Sequence, residues 1–210
     1  MNSLLPYLLL LCVCCLACTS EAPPPETPAP PNVRHRLPEL GKRVDLPAVF
    51  REISLNEWTR QILATESEEE RRDLASYQRV MSRALRLPKD ARVFLDSTDL
   101  RTNISFFRSP RYQRIDARTA DAYAQRIDAG LVQQYPPESG ITYEKMDGKF
   151  METPNRRGIK TTYRFDRPAA TPVYFTQYLL DDGRTNVVMH VVTPDADREY
   201  LEVTERIVDL

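Results

Sequence analysis

Residues 173–192 read VYFTQYLLDDGRTNVVMHVV, two apolar runs that meet at Asp182-Gly183. An Asp-Gly pair between two such runs is the sequence pattern of a β-hairpin closed by a type I′ turn. Val173, Phe175 and Leu179 fall on one face of the first strand, and Tyr174, Tyr178 and Leu180 on the other. Val187, Met189 and Val191 alternate in the same way with Val188 and Val192. Strands that are apolar on both faces are covered on both faces, so this hairpin is expected near the middle of a sheet lying between layers. His190, inside the second run, is expected to be a buried, hydrogen-bonded histidine rather than a catalyst.

The sequence on either side of the hairpin completes an α+β pattern. After it, Thr193-Pro194 offers an N-cap with proline at the first helical position. The helix predicted there turns Tyr200, Leu201, Thr204, Ile207 and Val208 inward. Before it, residues 141–147 and 158–166 read as strands, and so do 92–96 and 102–108, with the polar link Ser97-Thr98-Asp99 between that last pair. Asp116 caps a helix to about Gln134, with Ala120, Tyr123, Ala124, Ile127 and Leu131 as its apolar stripe; Pro136-Pro137 stops it. Ser54 and Ser67 each stand three residues before a glutamate, the capping-box spacing. Leu55, Trp58 and Ile62 follow the first serine, and Leu74, Tyr77, Met81, Ala84 and Leu85 follow the second. Residues 44–53 read as extended chain, interrupted at Pro47. The fold class expected is an antiparallel β-sheet sandwiched between helices, in a single domain over 41–210.

The N-terminal stretch has a different character. Residues 8–31 read LLLLCVCCLAC, a short polar start, then a run dominated by proline. The apolar part is short for a bilayer-spanning helix, which needs about 20 residues, and fits the h-region of an export signal. Cys15-Leu16-Ala17-Cys18 resembles the bacterial lipoprotein signal, in which a small residue precedes the cysteine that is acylated and becomes the new N-terminus. That resemblance implies a signal peptide over 1–17 and lipidation at Cys18. Cys15 stands where the family has leucine, and Thr19 stands where the family's inner-membrane retention signal has aspartate. The implied location is therefore the cell envelope, at the outer membrane. Residues 18–40 are expected to form a polyproline-rich linker that, at about 3.1 Å per residue, could hold the domain up to roughly 60 Å from the bilayer.

All four cysteines lie before residue 19, so 41–210 is expected to hold no disulfide, thiol nucleophile or cysteine-bound metal. The net charge of −1 gives no sign of nucleic-acid binding. His35, placed by this reading in the linker, and His190 are the two histidines, too few for the usual zinc site. Glu68, Glu69 and Glu70 read as a solvated first helical turn rather than a metal site. Asp96, Asp99 and Asn103 lack the glycine and glutamate spacing of a calcium loop. Arg101, Arg108, Arg111, Arg114 and Arg118 form a cluster that could grip phosphate or carboxylate, though pairing with nearby aspartates is the plainer reading. No nucleophile elbow, zinc-protease, P-loop or dinucleotide motif is present. No cofactor is expected, and no catalytic residue is assigned. The alternative is a hydrolase-type enzyme using Asp96, Asp99 or Glu144.

Three segments together resemble one family: FFRSPRYQRIDARTADAYAQRI (106–127), VYFTQYLLDDGRTNVVMHVVTP (173–194) and YLEVTERIVDL (200–210). They are similar to the PsbP-like group of bacterial and plastid proteins, which includes DcrB-like envelope lipoproteins. The resemblance covers roughly 44–210. It implies an antiparallel sheet between helices and an accessory or binding role without a common catalytic site. The partners it implies are the membrane, through the N-terminal lipid, and an envelope protein. The helical section 54–87 is longer than the family pattern.

Overall fold

The computed structural model describes residues 31–85, 87–136, 139–153, 156–167, 170–196 and 200–210, with the side chains of 80–85 outside that description. The strands are β1 (Asn32–Leu37), β2 (Lys42–Pro47), β3 (Phe50–Glu52), β4 (Arg92–Asp96) and β5 (Asn103–Arg108), followed by β6 (Thr142–Glu152), β7 (Arg157–Asp166), β8 (Val173–Asp181), β9 (Asn186–Thr193) and β10 (Ile207–Asp209). The helices are α1 (Leu55–Leu63), α2 (Glu68–Leu85), α3 (Ala117–Gln134) and the short α4 (Leu201–Glu205).

Local chemistry sets the helix starts. Ser54 Oγ accepts from the Glu57 N–H at 3.2 Å, and Ser67 Oγ accepts from the Glu70 N–H at 3.3 Å. At α3 the capping is reciprocal: Asp116 accepts from the Arg118 and Thr119 N–H groups, and Thr119 Oγ1 accepts from the Asp116 N–H, each at 2.9 Å. These bonds satisfy donors that the first turn leaves free.

Seven strands form an antiparallel sheet in the order β3-β4-β5-β9-β8-β7-β6. Every residue of β9 is buried, which fits its central place and its two-faced apolar sequence. One face carries α1, α2 and α3. There Trp58, Ile62, Leu74, Tyr77 and Leu131 pack with Tyr163, Phe165, Phe175 and Val192. A second cluster joins Ile115 and Ala120 to Ile159, Leu179 and Val188. Between these clusters runs a polar cross-strand row, Ser105, His190, Gln177 and Thr161.

The other face of the large sheet carries a three-stranded sheet, β1-β2-β10, together with α4. Leu37, Val44, Leu46, Tyr200, Val203 and Ile207 cover Phe106, Tyr178, Leu180, Met189 and Val191. The α+β antiparallel class expected from the sequence holds, and this second layer is mostly strand.

Several local expectations need correction. Residues 32–40, expected in the linker, belong to the fold: β1 pairs with β2 along its whole length, and Leu37 is fully buried. His35 accordingly sits on β1, its ring edge-on to Phe94 at 4.8 Å. The Asp182-Gly183 turn is a four-residue loop closed by Asp181 and Asn186. Gly183 takes φ +85°. The Asp182 carboxylate accepts from the Arg184 and Thr185 N–H groups at 3.0 and 2.7 Å, replacing the tighter two-residue closure. Lastly, no helix starts at Pro194. Thr193 ends β9 and its Oγ1 accepts from the Asp195 N–H at 3.1 Å. Ile207 and Val208 continue past α4 as β10, because β2 offers them a ladder. Tyr200, Thr204 and Ile207 are buried as expected, whereas Leu201 and Val208 are exposed.

Candidate functional site

Cys18 and the signal segment lie outside the described residues. The three carboxylates of the enzyme reading do not converge. Asp96 is buried in the β4–β5 turn, accepting from the Thr98 N–H at 2.8 Å and its hydroxyl at 2.6 Å. Asp99 accepts from the Arg101 N–H and the Thr102 hydroxyl in the same turn. Glu144 is exposed on β6, the opposite edge of the sheet. Five strand spacings separate β4 from β6, about 24 Å at about 4.8 Å each. Asp96 and Asp99 are turn residues, as their local hydrogen bonds require.

His190 is buried, as expected, but it is not hydrogen-bonded: neither ring nitrogen has a partner among the described residues. Its ring stands edge-on between Phe107 at 4.9 Å and Phe175 at 5.0 Å. Burial pushes the imidazole down to about 3, so it is neutral at ordinary pH. The neighbouring Ser105 Oγ and Thr161 Oγ1 are buried without partners too, while Gln177 donates to the Tyr123 hydroxyl.

The arginines that cluster in the sequence separate in space. Arg101 lies 3.8 Å from Asp73, and Arg108 donates to the Glu39 carbonyl at 3.0 Å. Glu68, Glu69 and Glu70 occupy the exposed first turn of α2, with Glu68 paired to Arg72. Of the arginine cluster, Arg114 alone lines the cleft described next.

That cleft has a volume of about 420 Å³ and lies where three chain segments meet: Tyr112 and Arg114 before α3, Glu152, Thr153, Arg156 and Arg157 at the facing ends of β6 and β7, and Asp181, Asp182 and Gly183 at the end of β8. Its walls are fixed by side chains bonded to backbone. Asp181 accepts from the Ile115 N–H at 3.1 Å and the Gly183 N–H at 2.8 Å. Asn186 accepts from the Gln113 N–H and donates to the Gln113 carbonyl at 3.0 Å. At the β6–β7 turn, the Thr153 N–H donates to the Arg156 carbonyl at 2.8 Å.

The charges of the cleft are unequally matched. Glu152 pairs with Arg157 at 2.8 Å. Asp182 pairs with Lys42 at 2.9 Å, and Lys42 also meets Asp209 at 2.5 Å. Burial alone would raise the Asp182 carboxyl, but the Thr185 N–H, the Lys42 ammonium and the Arg184 N–H hold it well below its usual range. Arg156 donates one Nη2 hydrogen to the Ile207 carbonyl, while its Nη1 is buried with no acceptor among the described residues. Burial pulls this guanidinium below its ordinary value, against the charges of Glu205, Asp182 and Asp209. The described structure gives Arg114 and Arg156 no ion-pair partner. Sequence reading missed Arg156 and Arg157; their one signal was a pair of adjacent arginines between two strand patterns.

A separate hollow of about 440 Å³ is mainly apolar, lined by Ile53, Leu55, Trp58, Leu87, Pro88 and Val93.

No family model and no curated protein matches this chain. Among solved structures, the solution structure of cyanobacterial PsbP (CyanoP) from Synechocystis sp. PCC 6803 is similar, with a TM-score of 0.54 at 9% identity; the match covers 90% of this chain and 98% of that one. The domain therefore has a PsbP-like fold, and at this identity the likeness is one of fold alone.

Proposed function

We propose that this protein is a lipid-anchored accessory or binding module of the bacterial cell envelope, acting without catalysis. One observation carries the reading: a PsbP-like fold is joined, without an intervening segment, to a sequence with the pattern of an export signal, an acylated cysteine and a proline spacer. β1 begins at Asn32, right after Pro31, whose carbonyl accepts from the Ala48 N–H at 2.9 Å. Residues 19–31 are then the whole spacer, with a reach of roughly 40 Å as polyproline II. The fold resemblance supports an accessory role; Asp96 and Asp99 are occupied by hydrogen bonds within their own turn and Glu144 lies strands away on β6, which removes the support that the hydrolase reading had. A firm membrane hold is what multiple acyl chains on Cys18 would supply, at about 0.8 kcal/mol per buried methylene.

The test is fractionation in a bacterium that processes lipoproteins. The native chain should sediment with envelope membranes, and Cys18→Ser should shift it to the soluble fraction. Equal membrane association of the two would remove the lipid anchor from this reading.

A further inference from the structure

We infer that the outward face of the β1-β2-β10 sheet is a docking surface for anionic phospholipid headgroups, seated on Arg36 and Arg43. The inference rests on the anchored reading above, which brings a bilayer within reach, and adds to it the face of the domain that meets that bilayer.

Strand register assigns the face. Leu37, Val44, Leu46 and Ile207 turn inward onto the large sheet, so the alternate positions turn outward. These are Asn32, Arg34 and Arg36 on β1, Arg43 and Asp45 on β2, and Val208 on β10. Three arginines thus share the face with one carboxylate. Arg34 occupies that carboxylate with two bonds, at 2.9 and 3.3 Å. Arg206, just before β10, is taken as well, by Glu202 at 2.9 Å and by Asn32 at 3.0 Å. Arg36 and Arg43 remain, directly opposite each other in the ladder. Among the described residues, no ion pair or hydrogen bond engages either side chain. Like charges at directly opposed positions repel, and these two point away from the core, so packing does not require the pairing. An anionic surface turns that repulsion into attraction.

The tether delivers the same face. The chain enters the domain at Asn32, and Arg36 lies four residues further along β1, about 13 Å on at about 3.3 Å per residue. With a spacer reach of roughly 40 Å, the sheet can lie flat on the bilayer. Val208, 41% exposed, stands opposite Arg43 and adds an apolar contact at headgroup depth. Basic side chains beside a membrane anchor are drawn to a negative leaflet over about one Debye length, roughly 10 Å. Tethering keeps the face at high local concentration, so two free arginines suffice for a contact that would be weak in an untethered protein.

The test is co-sedimentation of the full-length Cys18→Ser chain, which carries no acyl group, with lipid vesicles. One set is phosphatidylcholine alone, and the other contains about one-third phosphatidylglycerol. The neutral set reports any binding through the apolar leader, so the difference between the sets belongs to charge. At low salt the anionic vesicles should bind about tenfold more tightly, and high salt should abolish the preference. Arg36→Glu should remove most of that preference while leaving the melting temperature equal or higher, because a carboxylate then faces Arg43. That combination separates loss of contact from loss of fold. Arg43→Gln should weaken the preference several-fold. Arg118→Glu combined with Arg126→Glu, on α3 at the other face of the large sheet, should leave it nearly unchanged. Equal affinity for the two vesicle sets, or equal losses from Arg36→Glu and from the α3 variant, would overturn the proposal. Either result leaves the anchor standing, since acylation is read separately by fractionation of the native chain.

Discussion

Lys42 Nζ lies 2.9 Å from Asp182 Oδ2, joining the three-stranded sheet to the loop between β8 and β9. The two side chains are only 10% and 15% exposed, so this pair is poorly screened by water. Lys42→Ala leaves Asp182 without its cation and should cost about 2 kcal/mol or more in urea denaturation. Arg34→Ala, which breaks an exposed pair with Asp45, should barely move the midpoint. The Asp182 carboxyl is held below its usual range, so its contribution is complete above its unfolded value of 3.8 and is lost as pH falls through the lower folded value. Lys42 is raised in spite of burial, by Asp209 and Asp182, so its contribution persists up to its ordinary value of 10.5 and is lost as pH rises through the folded one. The Lys42 effect should therefore be flat across the neutral range and shrink in acid.

His190 titrates in the opposite practical sense from a paired histidine. Its folded value of about 3 lies below the ordinary 6.5, so the unfolded chain binds a proton first. Stability should fall as pH drops from about 6.5, by about 2 kcal/mol at about pH 5, given about 1.4 kcal/mol per pKa unit. His190→Leu should remove that part of the acid loss while changing stability modestly at about pH 7.5. Urea curves of both proteins at the two pH values test this. An identical acid loss in both would show that His190 is not the group responsible.

The two hairpin-end glycines should fail for different reasons. At Gly183 a new Cβ meets nothing within 4 Å, so Gly183→Val is strained by φ +85° alone, at about 1–3 kcal/mol. At Gly158 a Cβ would sit 2.9 Å from the Leu179 carbonyl oxygen and 3.1 Å from Leu180 Cδ2, so Gly158→Ala forces β7 away from β8. A cost of about 1–3 kcal/mol is expected there too. Val188→Asp, placing a carboxylate among Ile115, Ile159 and Leu179, should exceed both. Glu69→Ala, on the exposed turn of α2, should stay below about 0.5 kcal/mol. Thermal melts rank the four.

The sequence boundary at Gly41 can be tested by truncation. A chain over 41–210 lacks β1 and exposes Leu46 and Val44, and it also loses buried Leu37 and Leu40. Burying a leucine contributes about 2–3 kcal/mol, so this chain should unfold well below one spanning 31–210. Equal melting of the two would mean that β1 contributes nothing to the domain.

What was legible in the sequence was local. Ser54, Ser67 and Asp116 announce their helices because a cap bonds within three residues. The 173–192 hairpin was legible because a central strand must be apolar on both faces. What was hidden depends on distant partners. NVRHRL buries only Leu37 fully and reads as polar linker until β2 is set beside it. Residues 207–209 follow a helical pattern, yet they pair with β2 some 160 positions earlier. The cleft draws Arg114, Arg156 and Asp182 from three separate turns, so no sequence window contains it.

The anchor is central to the proposed role, and one mass measurement addresses it most directly. The chain would be extracted from envelope membranes, digested, and its N-terminal peptide weighed. Expected is a peptide that begins at Cys18 and carries acyl chains, with residues 1–17 absent. A mature N-terminus that retains Met1, or that begins at any residue without a lipid, would contradict the reading of this protein as a lipid-anchored envelope module.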